Sequence, residues 1–217
     1  MEEPTQITSE VKFYNSRFLK PDTLNPREYQ STISDRTALK NSLVVIPTGL
    51  GKTIIALLTA VKILEKSPDG SKIIILAPTR PLINQHYEVF KNLMNLPEEK
   101  FAFLIGATTP KKRAKAFLEA QILFFTPETL RNDVLESRYS LSEVCLIVFD
   151  EAHRASGNYA YCSVAEQYAL QNKDGRSLAL TASPGSNKEA IEKLCSNLHI
   201  DSCSVHIRDR SDADVKK

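Results

Sequence analysis

Six short apolar runs, each bounded by turn or polar residues and separated by longer amphipathic segments, constrain this 217-residue chain more than any other feature. They are 43–46 (LVVI), 73–77 (IIILA), 102–105 (AFLI), 122–125 (ILFF), 145–149 (CLIVF) and 178–181 (LALT). Runs this short and apolar throughout suit strands covered on both faces, as in a parallel sheet. Helices are predicted between them at roughly 52–66, 81–95, 110–119, 127–136, 159–171 and 187–198. An earlier helix is predicted to start at Asn25-Pro26 and run to about Ala38. Such alternation predicts a layered α/β domain with right-handed crossovers, a mainly parallel central sheet and helices on both faces.

The first predicted strand and the helix after it are joined by Ile46-Pro47-Thr48-Gly49-Leu50-Gly51-Lys52-Thr53. Strand, glycine-bearing turn and helix is the context in which such a run cradles phosphate. Gly49 and Gly51 let the backbone N–H groups curl inward as an anion nest at a helix N-terminus. Lys52 adds a charge for the β- and γ-phosphates, and Thr53 offers a hydroxyl to Mg²⁺. Ile46 departs from the pattern, since a small residue is expected there.

A second signal comes about a hundred residues later, where the apolar run 145–149 ends in Asp150-Glu151-Ala152-His153. Ligands of open parallel sheets bind at the carboxyl ends of the strands, so Asp150 and Glu151 are expected to emerge beside Lys52 and Thr53. Phosphoryl-transfer chemistry then assigns Asp150 to Mg²⁺, opposite Thr53, and Glu151 to orienting and deprotonating the attacking water.

With the order PTGLGKT then DEAH on the page, the chain resembles the first motor domain of a superfamily-two helicase, a RecA-like P-loop NTPase. The resemblance covers about residues 25–198. It implies ATP and Mg²⁺ as cofactors, with Pro47, Thr48, Gly49, Leu50, Gly51, Lys52 and Thr53 around the phosphates. It implies that Gln30 and Arg27 in Arg27-Glu28-Tyr29-Gln30 read the adenine. Pro78, Thr79 and Arg80, then Gly106 and Thr108, then Thr126, Pro127 and Glu128 resemble nucleic-acid contact blocks. Thr181, Ala182 and Ser183 resemble the motif that couples hydrolysis to movement, and His153 occupies the position that bridges it to the nucleotide site. The wording APTRPL, FFTPETL, DEAHRA and LTASPG is most similar to archaeal Hef and eukaryotic FANCM fork-remodelling helicases.

Two functions follow from the resemblance. One is an ATP-driven motor domain on branched, forked or double-stranded DNA in repair and replication restart. The alternative is an ATP-regulated double-stranded RNA sensor of the RIG-I and Dicer-like group. Ala152, where those sensors typically carry Cys, favours DNA. Threonine hydroxyls and one arginine in the contact blocks suit phosphate oxygens, so binding is expected to track the backbone. Phe124 and Phe125 are expected in the core, and Lys111-Lys112-Arg113 at a solvated helix start in preference to a phosphate contact. The expected layout is an extension over 1–24, a motor domain over 25–200 and a segment over 201–217 leading to a second RecA-like domain. That second domain is expected to supply a catalytic arginine.

The bulk properties narrow the rest. A net charge of +2 gives no global basic field, so a nucleic-acid surface must be local. No apolar stretch reaches the ~18 residues of a membrane span, and the acidic start Met1-Glu2-Glu3-Pro4 is no secretory signal, so an intracellular, non-membrane protein is expected. The cysteines at 145, 162, 195 and 203 form no C-x-x-C pair, so zinc is not expected. His86, His199 and His206 have no partner pattern and read as structural or exposed.

Overall fold

The strands are β1 (Ser42–Val45), β2 (Lys72–Leu76), β3 (Phe101–Leu104), β4 (Ile122–Phe125), β5 (Val144–Phe149), β6 (Arg176–Thr181) and β7 (Val205–Ile207). The helices are α1 (Glu28–Thr37), α2 (Lys52–Leu64), α3 (Arg80–Leu93), α4 (Pro110–Glu119), α5 (Pro127–Leu135), α6 (Ala160–Gln171) and α7 (Lys188–Asn197). These come from a computed structural model that describes residues 13–185, 187–201, 204–212 and 215. Residues 1–12 of the expected extension, and Cys203, lie outside the described residues.

The seven strands form one sheet in the order β3-β4-β2-β5-β6-β1-β7, with every pairing parallel. Successive strand side chains point to opposite faces, and here both faces are apolar. Val44, Ile73, Ile75, Phe124, Val148 and Leu178 pack with Tyr29, Ile33, Leu57 and Phe90 beneath α1, α2 and α3. Leu43, Ile74, Leu123, Phe125, Ile147 and Ala179 pack with Phe117, Leu130, Tyr161 and Leu194 beneath α4, α5, α6 and α7. A run such as Ile73-Ile74-Ile75 is apolar without alternation because helices cover both sides. Phe124 and Phe125 are fully buried, as expected.

Differences from expectation have local causes. Helix α1 starts at Glu28 instead of Pro26, because Arg27 is extended and the Gln30 side chain reaches back to accept from the Arg27 N–H at 3.0 Å. Thr79 caps α3, accepting from the Leu82 N–H at 3.5 Å, so the helix opens at Arg80. Strand β7 was not foreseen: it is short, half-buried and paired on one side only, to β1. The segment from Arg208 crosses the end of β1. There the Arg208 N–H donates to the Val45 carbonyl and Arg210 Nη2 to the Thr48 carbonyl, both at 2.9 Å. No helix among the described residues is long and apolar enough to cross a membrane.

Candidate nucleotide and nucleic-acid site

Because all strands run the same way, the loops after β1, β2, β3, β4, β5 and β6 share one edge of the sheet. The strand order sets the loop after β1 beside the end of β6, with the end of β5 next along. The strand ends are tied directly: the Ile46 N–H donates to the Thr181 carbonyl and the Asp150 N–H to the Leu76 carbonyl, each at 2.9 Å. Ile46 is fully buried. It sits one residue past the end of β1, bonded to β6 and packed in the core, which is why a large apolar side chain stands where a small loop residue was expected.

The turn needs its glycines. Gly49 has φ +87° and Gly51 φ +81°, both left-handed. A Cβ on Gly51 would run into Gln30 Nε2. Gln30 is nearly buried, and its amide donates to the Leu50 carbonyl at 3.3 Å, which also accepts from the Tyr29 hydroxyl at 2.6 Å. The Tyr29–Gln30 pair thus holds the middle of the turn. Tyr29 was not singled out from the sequence, because its hydroxyl looks like one more aromatic core residue until its partner is placed. Arg27 is exposed, as are Thr48 and Gly49 at the mouth of the turn.

Lys52 Nζ is buried and makes no hydrogen bond among the described residues. Its nearest anion, Glu151 Oε1, stands at 4.0 Å, beyond hydrogen-bond reach. A buried ammonium left in this way is costly unless a ligand anion meets it. Glu151 has φ +50°, a strained backbone for a non-glycine residue. Its other oxygen lies 3.4 Å from His153 Nδ1, which is also 3.1 Å from Thr181 Oγ1. Thr181 Oγ1 in turn accepts from the Ser183 N–H at 3.1 Å. A string of neighbouring groups from Lys52 through Glu151 and His153 to Thr181 therefore spans the ends of β1, β5 and β6; Ala182, next in the chain, is half-buried.

Asp150 is 5% exposed, and its carboxylate accepts from the Glu151 N–H at 2.9 Å and lies 2.8 Å from His86 Nε2. The hydroxyl of Tyr161 donates to the Asp150 carbonyl at 2.6 Å. The fit to a magnesium nucleotide rests on these features: a buried ammonium with no hydrogen-bond partner among the described residues, a turn with two left-handed glycines, and a hard-oxygen set of Thr53 and Asp150.

Farther along the edge, Thr79 and Arg80 are exposed at the start of α3, and Gly106 is exposed after β3. Pro78, Thr108 and Thr126 are half-buried and Glu128 is exposed, while Pro127 is buried as the first residue of α5. Thr126 and Thr129 share a hydroxyl hydrogen bond at 2.8 Å. Lys111 and Lys112 are solvated, as expected. Arg113 is not: it is buried, pairs both nitrogens Nε and Nη2 with Asp133 at 2.6 Å, and donates through Nη1 to the Thr108 carbonyl. Its spacing from Phe117 on one helix face was the available signal. Two cavities of about 390 and 660 Å³ lie at the opposite edge of the sheet around 66–72 and contain none of these residues.

A parallel sheet with this phosphate turn after β1 and a carboxylate pair after β5 defines a P-loop NTPase of the RecA-like fold. The chain belongs to the DEAD/DEAH box helicase family, whose profile matches residues 27–191. The Hef helicase domain of Pyrococcus furiosus has the same fold, with a TM-score of 0.86 and 46% identity over 92% of this chain and 41% of that one. The chain is 37% identical to the ATP-dependent DNA helicase mph1 of Sclerotinia sclerotiorum, covering 100% of this chain and 17% of that protein. It is 39% identical to the DEAD-box ATP-dependent RNA helicase FANCM of Arabidopsis thaliana, covering 87% of this chain and 14% of that protein. The chain thus spans less than a fifth of these two helicases.

Proposed function

We propose that this chain is the ATP-binding first motor domain of a helicase that acts on branched or forked DNA in repair and replication restart. The observation that carries the reading is the string Lys52–Glu151–His153–Thr181, which joins a phosphate turn to a strand-end threonine through Glu151 of the acidic pair. In this reading the turn from Pro47 to Thr53 binds the phosphates, with Lys52 Nζ as the charge that meets them. Thr53 and Asp150 hold Mg²⁺, which when bound neutralises charge on the phosphate oxygens. Glu151 orients the attacking water and accepts its proton. His153 reports the state of that carboxylate to Thr181, Ala182 and Ser183. Arg27 and Gln30 face the adenine; to do so Gln30 exchanges part of its hold on Leu50.

Pro78, Thr79, Arg80, Gly106, Thr108, Thr126, Pro127 and Glu128 form the nucleic-acid edge, gripping phosphates through hydroxyls and helix N-termini. A second RecA-like domain of the same polypeptide completes the site with an arginine, a contribution of roughly 10³–10⁵ in rate in related enzymes. The matched relatives carry both DNA and RNA helicase names, so the test must offer both substrates. Anisotropy titrations of labelled forked DNA, linear duplex DNA and double-stranded RNA, with and without a non-hydrolysable magnesium nucleotide, are the decisive measurement. Forked DNA is expected to bind most tightly; a clear preference for double-stranded RNA overturns the proposal.

A further inference from the structure

We propose that His86 is the positioning residue for Asp150, fixing the orientation of the carboxylate that receives Mg²⁺; this rests on the reading above that Asp150 holds the metal. His86 is 1% exposed, on the inner face of α3 with Ile83 and Phe90. Its Nε2 lies 2.8 Å from Asp150 Oδ2. An ionised carboxylate only accepts, so Nε2 carries the hydrogen. The backbone of Asp150 is pinned from elsewhere, by Leu76 and Tyr161. Its side chain has two donors: the adjacent Glu151 N–H on Oδ1, and His86 on Oδ2. His86 is therefore the side chain, among the described residues, that decides how the carboxylate is turned.

The histidine has no other polar task. Its Nδ1 is buried with no hydrogen-bond partner among the described residues. An apolar side chain would fill this place without leaving a polar atom unpaired, so packing does not explain an imidazole here. A donor aimed at Asp150 does, and unlike lysine or arginine an imidazole can donate without a fixed positive charge beside a cation site. Partners that orient a ligating group in this way are worth about 10–100-fold in metal affinity or activity. The donor also comes from the helix whose first turn presents Thr79 and Arg80, so the orientation of the metal carboxylate is tied to that helix.

The test measures binding of a fluorescent ADP to the chain as Mg²⁺ is titrated, and again in EDTA. For His86→Phe, half-saturation is expected at roughly 10–100-fold more Mg²⁺, with metal-free ADP affinity unchanged. His86→Gln keeps a donor near the same place and is expected to restore most of the magnesium dependence. Should His86→Phe fail to fold, the same titration on His86→Gln and His86→Leu decides, with Gln close to the native protein and Leu shifted. Native magnesium dependence in a folded Phe or Leu variant overturns the proposal. Asp150→Asn is the separate control: if that change leaves the magnesium dependence untouched, the assignment of Asp150 to the metal is what fails.

Discussion

Single residues set the terms of the phosphate turn. Replacing Gly51 with Ala forces a Cβ into left-handed backbone, about 1–2 kcal/mol, and pushes it onto Gln30 Nε2. Gly51→Ala is therefore expected to lower the denaturation midpoint and weaken nucleotide binding together, measured by urea unfolding and fluorescent-ADP titration. Lys52→Ala removes a buried ammonium that has no hydrogen-bond partner among the described residues. Stability should hold or rise, while affinity for a magnesium nucleotide falls on the order of 10–100-fold, the worth of a charge-assisted hydrogen bond. Nucleotide affinity unchanged in that variant would remove Lys52 from the phosphate site. Gly49, Gly51, Lys52, Thr53, Asp150 and Glu151 were legible from residue type and spacing alone, because their chemistry is local to a turn or a strand end. His86 was not, because its partner lies 64 positions away and no local spacing links them.

At the scale of elements, the Arg113–Asp133 pair ties α4 to α5, and with them the loops that carry Thr108 and Thr126. Asp133 is fully buried and accepts from Arg113, Arg138 and Tyr139. Removing one partner of a buried ion pair costs about 3–5 kcal/mol. Arg113→Met is expected to cost that much in urea unfolding, and a mild effect would show that Arg138 alone satisfies Asp133. Burial pushes the Asp133 carboxyl up, but the bonds and charges of Arg113, Tyr139 and Arg138 outweigh it and hold the group below its ordinary 3.8. A carboxyl depressed in the folded state contributes stability that is fully present above that ordinary value and lost as pH falls below it, through the folded pKa. Acid unfolding of the native chain should steepen below pH 3.8, and Asp133→Asn, less stable at neutral pH, should lack that component. Six of the seven strands were visible as apolar runs because both their faces are covered; β7 escaped because a half-buried edge strand has no such run. Arg113 sat within a basic triplet that reads as a solvated face; its spacing from Phe117 hinted that it turns inward, and its pairing with Asp133 shows it.

For the whole molecule, the family and the fold are fixed; under the proposed function, turnover requires an arginine from a second motor domain. The chain alone is expected to bind magnesium nucleotide weakly and to hydrolyse it slowly even with forked DNA. A phosphate-release assay on the chain, with Lys52→Ala as blank, checks this; DNA-stimulated turnover at the rate of a complete helicase would show that the arginine is dispensable or supplied within these residues. The amino-acid sequence by itself determined the parallel α/β layering, the phosphate turn, the acidic pair and the order of the edge loops, because hydrophobic period and turn chemistry act over a few neighbours. Only the tertiary structure decided that Tyr29 and Gln30 brace the phosphate turn, that Arg113 is an internal strut and that His86 faces Asp150. Those contacts join distant segments through hydrogen bonds made in a buried setting, and a pattern of residue types along one strand or helix does not encode its partner on another.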